Sequence, residues 1–328
     1  MNAKRIVSLV LAAVLMLGVL ALTSCGEDDT AKKYKIGISQ LVTHDALDAA
    51  TNGFMDAVKK GLGEENVEFD LQNAGNSTDV CATIANSFVS QKVDLIMANA
   101  TPALQAAANA TLTIPVLGTS ITEYGVALGI NNFNGTVGGN ISGTSDLAPL
   151  DQQAQMILDL VPGVQKVGLL YCSGEANSDY QVKAVKQYLE GKGITCTEYT
   201  FSDSTDVTAV AQNAAQNNDA IYIPTDNTAA ACAATIYGAM TTKKPIIAGE
   251  EGICKGCGIA TLSISYYDIG YATGEMAVKI LKGEAKIAEM PVEYAKTFTK
   301  KYNAAICQDL GIDTAALEAK GYVAIAAE

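Results

Sequence analysis

Apolar positions along this chain alternate between two rhythms. Short β-branched runs bounded by polar residues read as strands. They fall at Lys35–Ser39, Val67–Leu71, Val93–Met97 and Ile114–Gly118. Between them, apolar residues recur at helical spacing over Asp45–Leu62 (Leu47, Ala50, Phe54, Ala57, Val58), Ala82–Ser90 and Pro102–Ala110. The same alternation then starts again. Strands are predicted at Lys166–Tyr171, Thr195–Tyr199, Ala220–Pro224 and Pro245–Ala248, with helices over Tyr180–Lys192, Val207–Gln216 and Ala229–Met240. Strands alternating with helices give parallel sheets with right-handed crossovers. The expected class is therefore α/β, as two copies of one lobe. The likeness of Asp94–Thr101 to Asp219–Thr225, each followed by an Ala-rich helix, supports a duplication. Gly138, Gly139 and the stretch Asn140–Asp146 lie between the halves and form a candidate hinge. A further helix is expected over Gly270–Lys282, and an extended segment over Pro291–Lys300.

The first 24 residues follow a different pattern. Lys4 and Arg5 precede an uncharged apolar run, Ile6–Leu22, which leads into Leu22-Thr23-Ser24-Cys25-Gly26. A charged start, an apolar stretch and small residues before a cleavage point make a secretory signal. The Leu-small-Ser-Cys ending resembles the lipobox of bacterial lipoproteins, which implies a diacylglyceryl group on the Cys25 thiol. Two acyl chains give stable anchoring. Residues 25–33 then form a polar tether. The working protein is expected outside the cytoplasm, anchored to the cell membrane.

Composition narrows the chemistry. The chain has 328 residues, 49% hydrophobic and 17% charged, enough for two cores. Its net charge of −13, with no basic block, argues against nucleic acid as a partner. A single histidine, His44, argues against a zinc enzyme or a Ser-His-Asp triad, and no Gly-x-Ser-x-Gly turn supplies a nucleophile. Neither a P-loop nor a dinucleotide-binding Gly-x-Gly-x-x-Gly is present. No catalytic residues, cofactor or metal are expected. Cys254 and Cys257 have redox spacing without redox context, which leaves a local disulfide or two free thiols.

In open parallel sheets, ligands bind beyond the carboxyl ends of the strands. Those ends offer Gln40, His44, Asn73, Thr101 and Ser120 in the first half. The second half offers Glu175, Asn177, Ser178, Thr225, Asp226, Asn227 and Glu250. Ser145 and Asp146 lie at the hinge. Hydroxyls and helix N-termini at Thr101 and Ser120 suit a carboxylate. Asp226, with Glu250 or Glu175, suits an ammonium. Both groups together describe an amino acid. Asp226 and Thr101 could equally cap the helices that follow them.

Several stretches, taken together, are similar to the tryptophan- and tyrosine-type substrate-binding proteins of ABC transporters, within the type I periplasmic-binding superfamily. They include His44-Asp-Ala-Leu-Asp48, Asp94–Pro102, Asn140–Asp146, Gly174–Ser178, Pro224–Asn227 and Tyr267–Gly270. The resemblance runs from Ile36 to Ile312. It implies two Rossmann-like lobes joined by three crossing segments near Ser142–Asp146, Ser263–Tyr267 and Val292–Thr299. The expected lobes are 34–143 with 267–295, and 144–266 with 296–328. It also implies capture of an amino acid, aromatic as the family's ligands are, and delivery to a permease driven by an ATPase subunit. A nucleoside, a sugar, a branched-chain amino acid or a sensor role on the same fold stay open. The family's Thr-Asp-Pro is replaced by Thr122-Glu123-Tyr124 here, which leaves one cleft wall undefined.

Overall fold

The computed structural model describes residues 33–326. The signal segment 1–24, Cys25 and most of the tether 25–33 lie outside the described residues. The first sheet has six parallel strands in the order β2-β1-β3-β4-β5-β11. These are β1 (Tyr34–Gln40), β2 (Val67–Asn73), β3 (Leu95–Asn99), β4 (Val116–Ile121), β5 (Ile141–Ser145) and β11 (Glu293–Tyr294). Helices α1 (Asp45–Leu62), α2 (Thr78–Gln91), α3 (Thr101–Ala110) and α4 (Tyr124–Leu128) connect the first five strands. β3 and β4 are buried along their whole length, as expected for strands covered by helices on both faces.

The second sheet has seven strands in the order β7-β6-β8-β9-β10-β12-β13. Its parallel part comprises β6 (Lys166–Cys172), β7 (Thr195–Phe201), β8 (Ala220–Ile223), β9 (Ile246–Ala248) and β10 (Ala260–Ser263). β12 (Thr299–Tyr302) adds antiparallel to β10, and β13 (Val323–Ala324) closes the edge. Around it pack α5 (Leu150–Leu160), α6 (Ala176–Glu190), α7 (Val207–Asn217), α8 (Asn227–Ala231), α9 (Ala233–Ala239) and α10 (Glu251–Cys257). The single helix expected over Ala229–Met240 is broken at Cys232, whose backbone leaves the helical region.

The chain passes between the sheets three times: after β5, between β10 and α11 (Tyr266–Leu281), and between β11 and β12. The result is two α/β lobes joined by three crossing segments. The expected hinge is corrected in one respect. Ile141–Ser145 is a fully buried strand of the first sheet, and the first crossing follows it. Gly143 serves close packing there: its φ is +145°, and a Cβ would stand 2.0 Å from the Gly118 carbonyl oxygen.

Helix α11 returns to the first lobe and lies directly on α1. Small residues permit the approach, because a Cβ on Gly270 would meet Ala50 O at 2.0 Å and one on Gly53 would meet Tyr267 O at 2.1 Å. The seven cysteines from Cys81 to Cys307 are all free thiols. Cys254 and Cys257 sit buried on α10, each donating to a backbone carbonyl, so the disulfide alternative is replaced by a structural role in the core.

Candidate functional site

The carboxyl ends of both sheets face each other across a cleft. β1 leads to His44, the residue before α1. β4 carries Ser120 and leads to Thr122, and β5 leads to Asp146. From the second lobe come Asn177 at the start of α6, Thr225–Asn227 after β8, and Glu250 after β9. Tyr266 opens α11 after the second crossing. These side chains, with Leu47 and Ala230, line a narrow, tightly packed pocket between the lobes.

The cavity is marked by unmet hydrogen-bonding capacity. Seven buried side-chain polar atoms among the described residues have no partner, and four of them belong to its lining: His44 Nδ1, Ser120 Oγ, Asp146 Oδ1 and Asn177 Oδ1. Buried polar groups are normally paired, because an orphaned one costs about 1–3 kcal/mol. Ser120 adds backbone strain. Its φ of +56° sits at a register shift in the β4–β5 pairing, an uncommon conformation for a residue with a Cβ.

The carboxylates divide into two kinds. Asp226 caps α8 through Ala229 N (2.7 Å), and its other oxygen accepts from Cys172 N (2.8 Å) and Ser178 Oγ (2.7 Å). Burial and the neighbouring Glu175 push its carboxyl up. Glu250 caps α10, accepting from Gly252 N and Ile253 N, and burial raises it to about 7. Glu175 accepts five hydrogen bonds: from Asn177 Nδ2, Asn227 N and Nδ2, and Thr228 N and Oγ1, at 2.7–3.1 Å. The acids expected to meet an ammonium are thus already engaged in tying helix starts together.

Asp146 differs from all three. One oxygen accepts from the Tyr266 hydroxyl at 3.0 Å, while the other is unpartnered. Burial raises its carboxyl to about 6, against hydrogen bonds from Tyr266 and Thr122 that lower it. A carboxylate with one bare, buried oxygen is a ready acceptor for a cationic donor.

Of the other expected residues, several stand outside the cavity. Gln40 and Asn73 line a separate outer recess, where Gln40 bonds Asp48 and Thr51 and Asn73 bonds Thr43. Thr101 is buried at the start of α3 and does not reach the lining. Ser145 spans Thr122 O and Leu147 N, and Ser178 supports Asp226. Thr122, Tyr266, Leu47 and Ala230 join the cavity without having been expected there. For Tyr266 a signal existed, since it opens a helix directly after a crossing segment.

The wall left undefined by Thr122-Glu123-Tyr124 is resolved. Glu123 caps α4 by accepting from Val126 N (2.5 Å). The Tyr124 ring is buried behind the cleft, its hydroxyl lying 3.0 Å from Gly118 O and 3.1 Å from Thr144 O. Gly118 and Gly143, paired across the strands, leave room for it. Tyr124 is therefore a brace for the first crossing and stays outside the cavity lining.

Comparison with known proteins places this geometry. Residues 35–318 match the family described as ABC transporter substrate binding protein. A tyrosine-binding protein of Clostridioides difficile (strain R20291) is 36% identical over 306 residues, covering 89% of this chain and 88% of the relative. A Streptococcus pneumonia ABC domain in complex with L-Trp is 34% identical with a TM-score of 0.84, over 90% of this chain and all of that one. The ligand-free, open structure of a substrate-binding protein with adhesive properties from Clostridium difficile is 36% identical with a TM-score of 0.68, over the same shares.

Proposed function

The chain belongs to the family of ABC transporter substrate-binding proteins, and on that premise we propose that it captures an aromatic amino acid between its lobes for delivery to a membrane permease and its ATPase. The observation that carries this reading is the set of four residues with unpartnered buried polar atoms that line one narrow pocket. The ligand's ammonium goes to Asp146 Oδ1, and its carboxylate to Ser120 Oγ. Leu47, Ala230 and the Tyr266 ring supply apolar wall for the side chain. This replaces the assignment of the ammonium to Asp226, Glu250 or Glu175 and of the carboxylate to Thr101. Gln40, Asn73 and Ser145 drop out as ligand contacts. No reaction is part of this reading.

The relatives' names support the ligand class: one is tyrosine-binding and another holds L-Trp. The protein works outside the cytoplasm, as family members do. Attachment to the membrane through lipid on Cys25, after removal of 1–24, belongs to the same proposal, as do lobe boundaries at 34–143 with 267–295 and 144–266 with 296–328. Replacing Cys25 by Ser should release the protein into the medium.

Isothermal titration and thermal-shift measurements on the mature protein against the twenty amino acids test the ligand. L-tyrosine or L-tryptophan should bind and raise the melting temperature. A full panel without stabilisation would overturn the assignment.

A further inference from the structure

Glu175 has a role that no ligand contact describes. Its carboxylate can only accept, so every polar atom within hydrogen-bond distance must donate. The Asn227 amide atom at 2.7 Å is therefore its NH2, which turns Asn227 Oδ1 away. Asn227 Oδ1 faces His44 Nε2 of the first lobe at 3.4 Å. The Asn177 amide is fixed in the same way, with Nδ2 on Glu175 and on Thr225 O, so its buried oxygen is the atom left without a partner. The Thr228 hydroxyl spends its only proton on Glu175 at 2.8 Å. Its lone pairs are left for Asn76 Nδ2 of the first lobe, at 2.9 Å.

Lys255 Nζ donates from the second lobe to Asp45, but the two interlobe hydrogen bonds beside Glu175 run the other way, from first-lobe donors to second-lobe acceptors. Each acceptor is oriented by the same carboxylate. The imidazole follows: with Nε2 donating to Asn227, Nδ1 becomes a bare acceptor in the cavity. We propose that Glu175 is the positioning residue for lobe closure, fixing Asn227 and Thr228 as acceptors and, through Asn227, fixing His44 as an acceptor toward an N–H or O–H of the ligand. The ligand part of this inference rests on the amino-acid reading above, whereas the closure part does not.

The acceptor state needs a neutral imidazole. Burial lowers the His44 pKa below its ordinary 6.5, against the opposing pull of Asn227, Glu175, Asp48 and Asp45. Asp146, Asp226 and Glu250 share the cavity, and Asp45 is paired with Lys255 of α10. Protonation would turn Nδ1 into a donor and remove the acceptor.

Because His44 is the only histidine, one imidazole gives the entire ¹⁵N histidine spectrum. In protein saturated with L-tyrosine or L-tryptophan, the proton should sit on Nε2, and Nδ1 should shift on ligand addition. Glu175→Gln introduces an NH2 that disorders both amides. It should move or mix the tautomer and weaken binding about tenfold, the scale of one to two hydrogen bonds. Glu175→Asp should recover part of the loss. Asn76→Ala removes a donor on an exposed side chain and so tests the Thr228 acceptor even if Glu175 variants fold poorly. It should weaken binding severalfold in wild type and have little further effect in Glu175→Gln. A proton on Nδ1 in the wild-type complex, or additive effects of Asn76→Ala and Glu175→Gln, would overturn the proposal. If no amino acid binds wild type, the amino-acid reading fails separately. The tautomer of the neutral imidazole in the ligand-free protein then decides the relay: a proton held on Nε2 in wild type and mixed tautomers in Glu175→Gln support it, and the same tautomer mixture in both overturns it.

Discussion

At the scale of single residues, the cleft separates acids whose oxygens are all engaged in holding the fold from Asp146, which keeps one oxygen unpartnered. Asp146→Asn should weaken amino-acid binding about 100-fold by calorimetry, the scale of a charge-assisted hydrogen bond. The ligand-free melting temperature should hold or rise, because a buried charge disappears. Asp226→Ala should also abolish binding, but with a loss of about 3 kcal/mol in urea unfolding, since three donors lose their acceptor. The two variants are told apart by stability rather than by affinity. The sequence alone put all these acids at strand ends, and rightly so. It could not separate them, because helix capping and ammonium binding use the same residue types at the same positions. What decides is the number of donors already present, which depends on contacts 48 to 54 residues apart.

The same acids give opposite pH trends for folding and for binding. Their carboxyls are raised in the folded chain, so the folded state holds protons that the unfolded state has lost, and stability falls as pH rises through the raised value. His44 has the reverse sign, and its contribution is complete above 6.5. Between pH 6.5 and 8 the acids act alone, so the ligand-free melting temperature should fall across that window as Glu250 ionises near 7 and Asp226 follows. Affinity should move the other way, declining below about pH 6 as Asp146 takes up a proton. Calorimetry at a series of pH values checks both.

At the scale of elements, the alternation of periods was legible because buried parallel strands and their covering helices have such different apolar spacing. Elements with short or polar starts were less so. α2 begins four residues earlier than its apolar pattern, because Ser77 caps a polar first turn by accepting from Val80 N. The strand Ile141–Ser145 falls within the stretch read as a candidate hinge, yet it is buried between β4 and β11. Its packing depends on the absence of a side chain at 143. Gly143→Ala should cost about 3 kcal/mol or more in urea unfolding, since the backbone angle and the Gly118 carbonyl both exclude a Cβ. Gly270→Ala should loosen α11 from α1 and act in the same direction.

At the scale of the molecule, the two lobes meet across the cleft through His44 to Asn227, Asn76 to Thr228 and Lys255 to Asp45. The arrangement shares more with the L-Trp complex than with the open relative, although the open relative has the higher sequence identity. Small-angle scattering should therefore show a smaller radius of gyration with L-tyrosine or L-tryptophan than without, as closure is favoured by a ligand that touches both walls.

The three crossings also govern when this fold can form. The first sheet needs Glu293–Tyr294 and the α11 helix, and the second needs Thr299–Tyr302 and Val323–Ala324. Neither lobe can complete its sheet until nearly the whole chain has been made. Pairings between residues so distant in sequence are slow to establish. A chain with this connectivity stays incompletely folded while it is being synthesised, which is the state in which a polypeptide can be threaded through a narrow translocation pore.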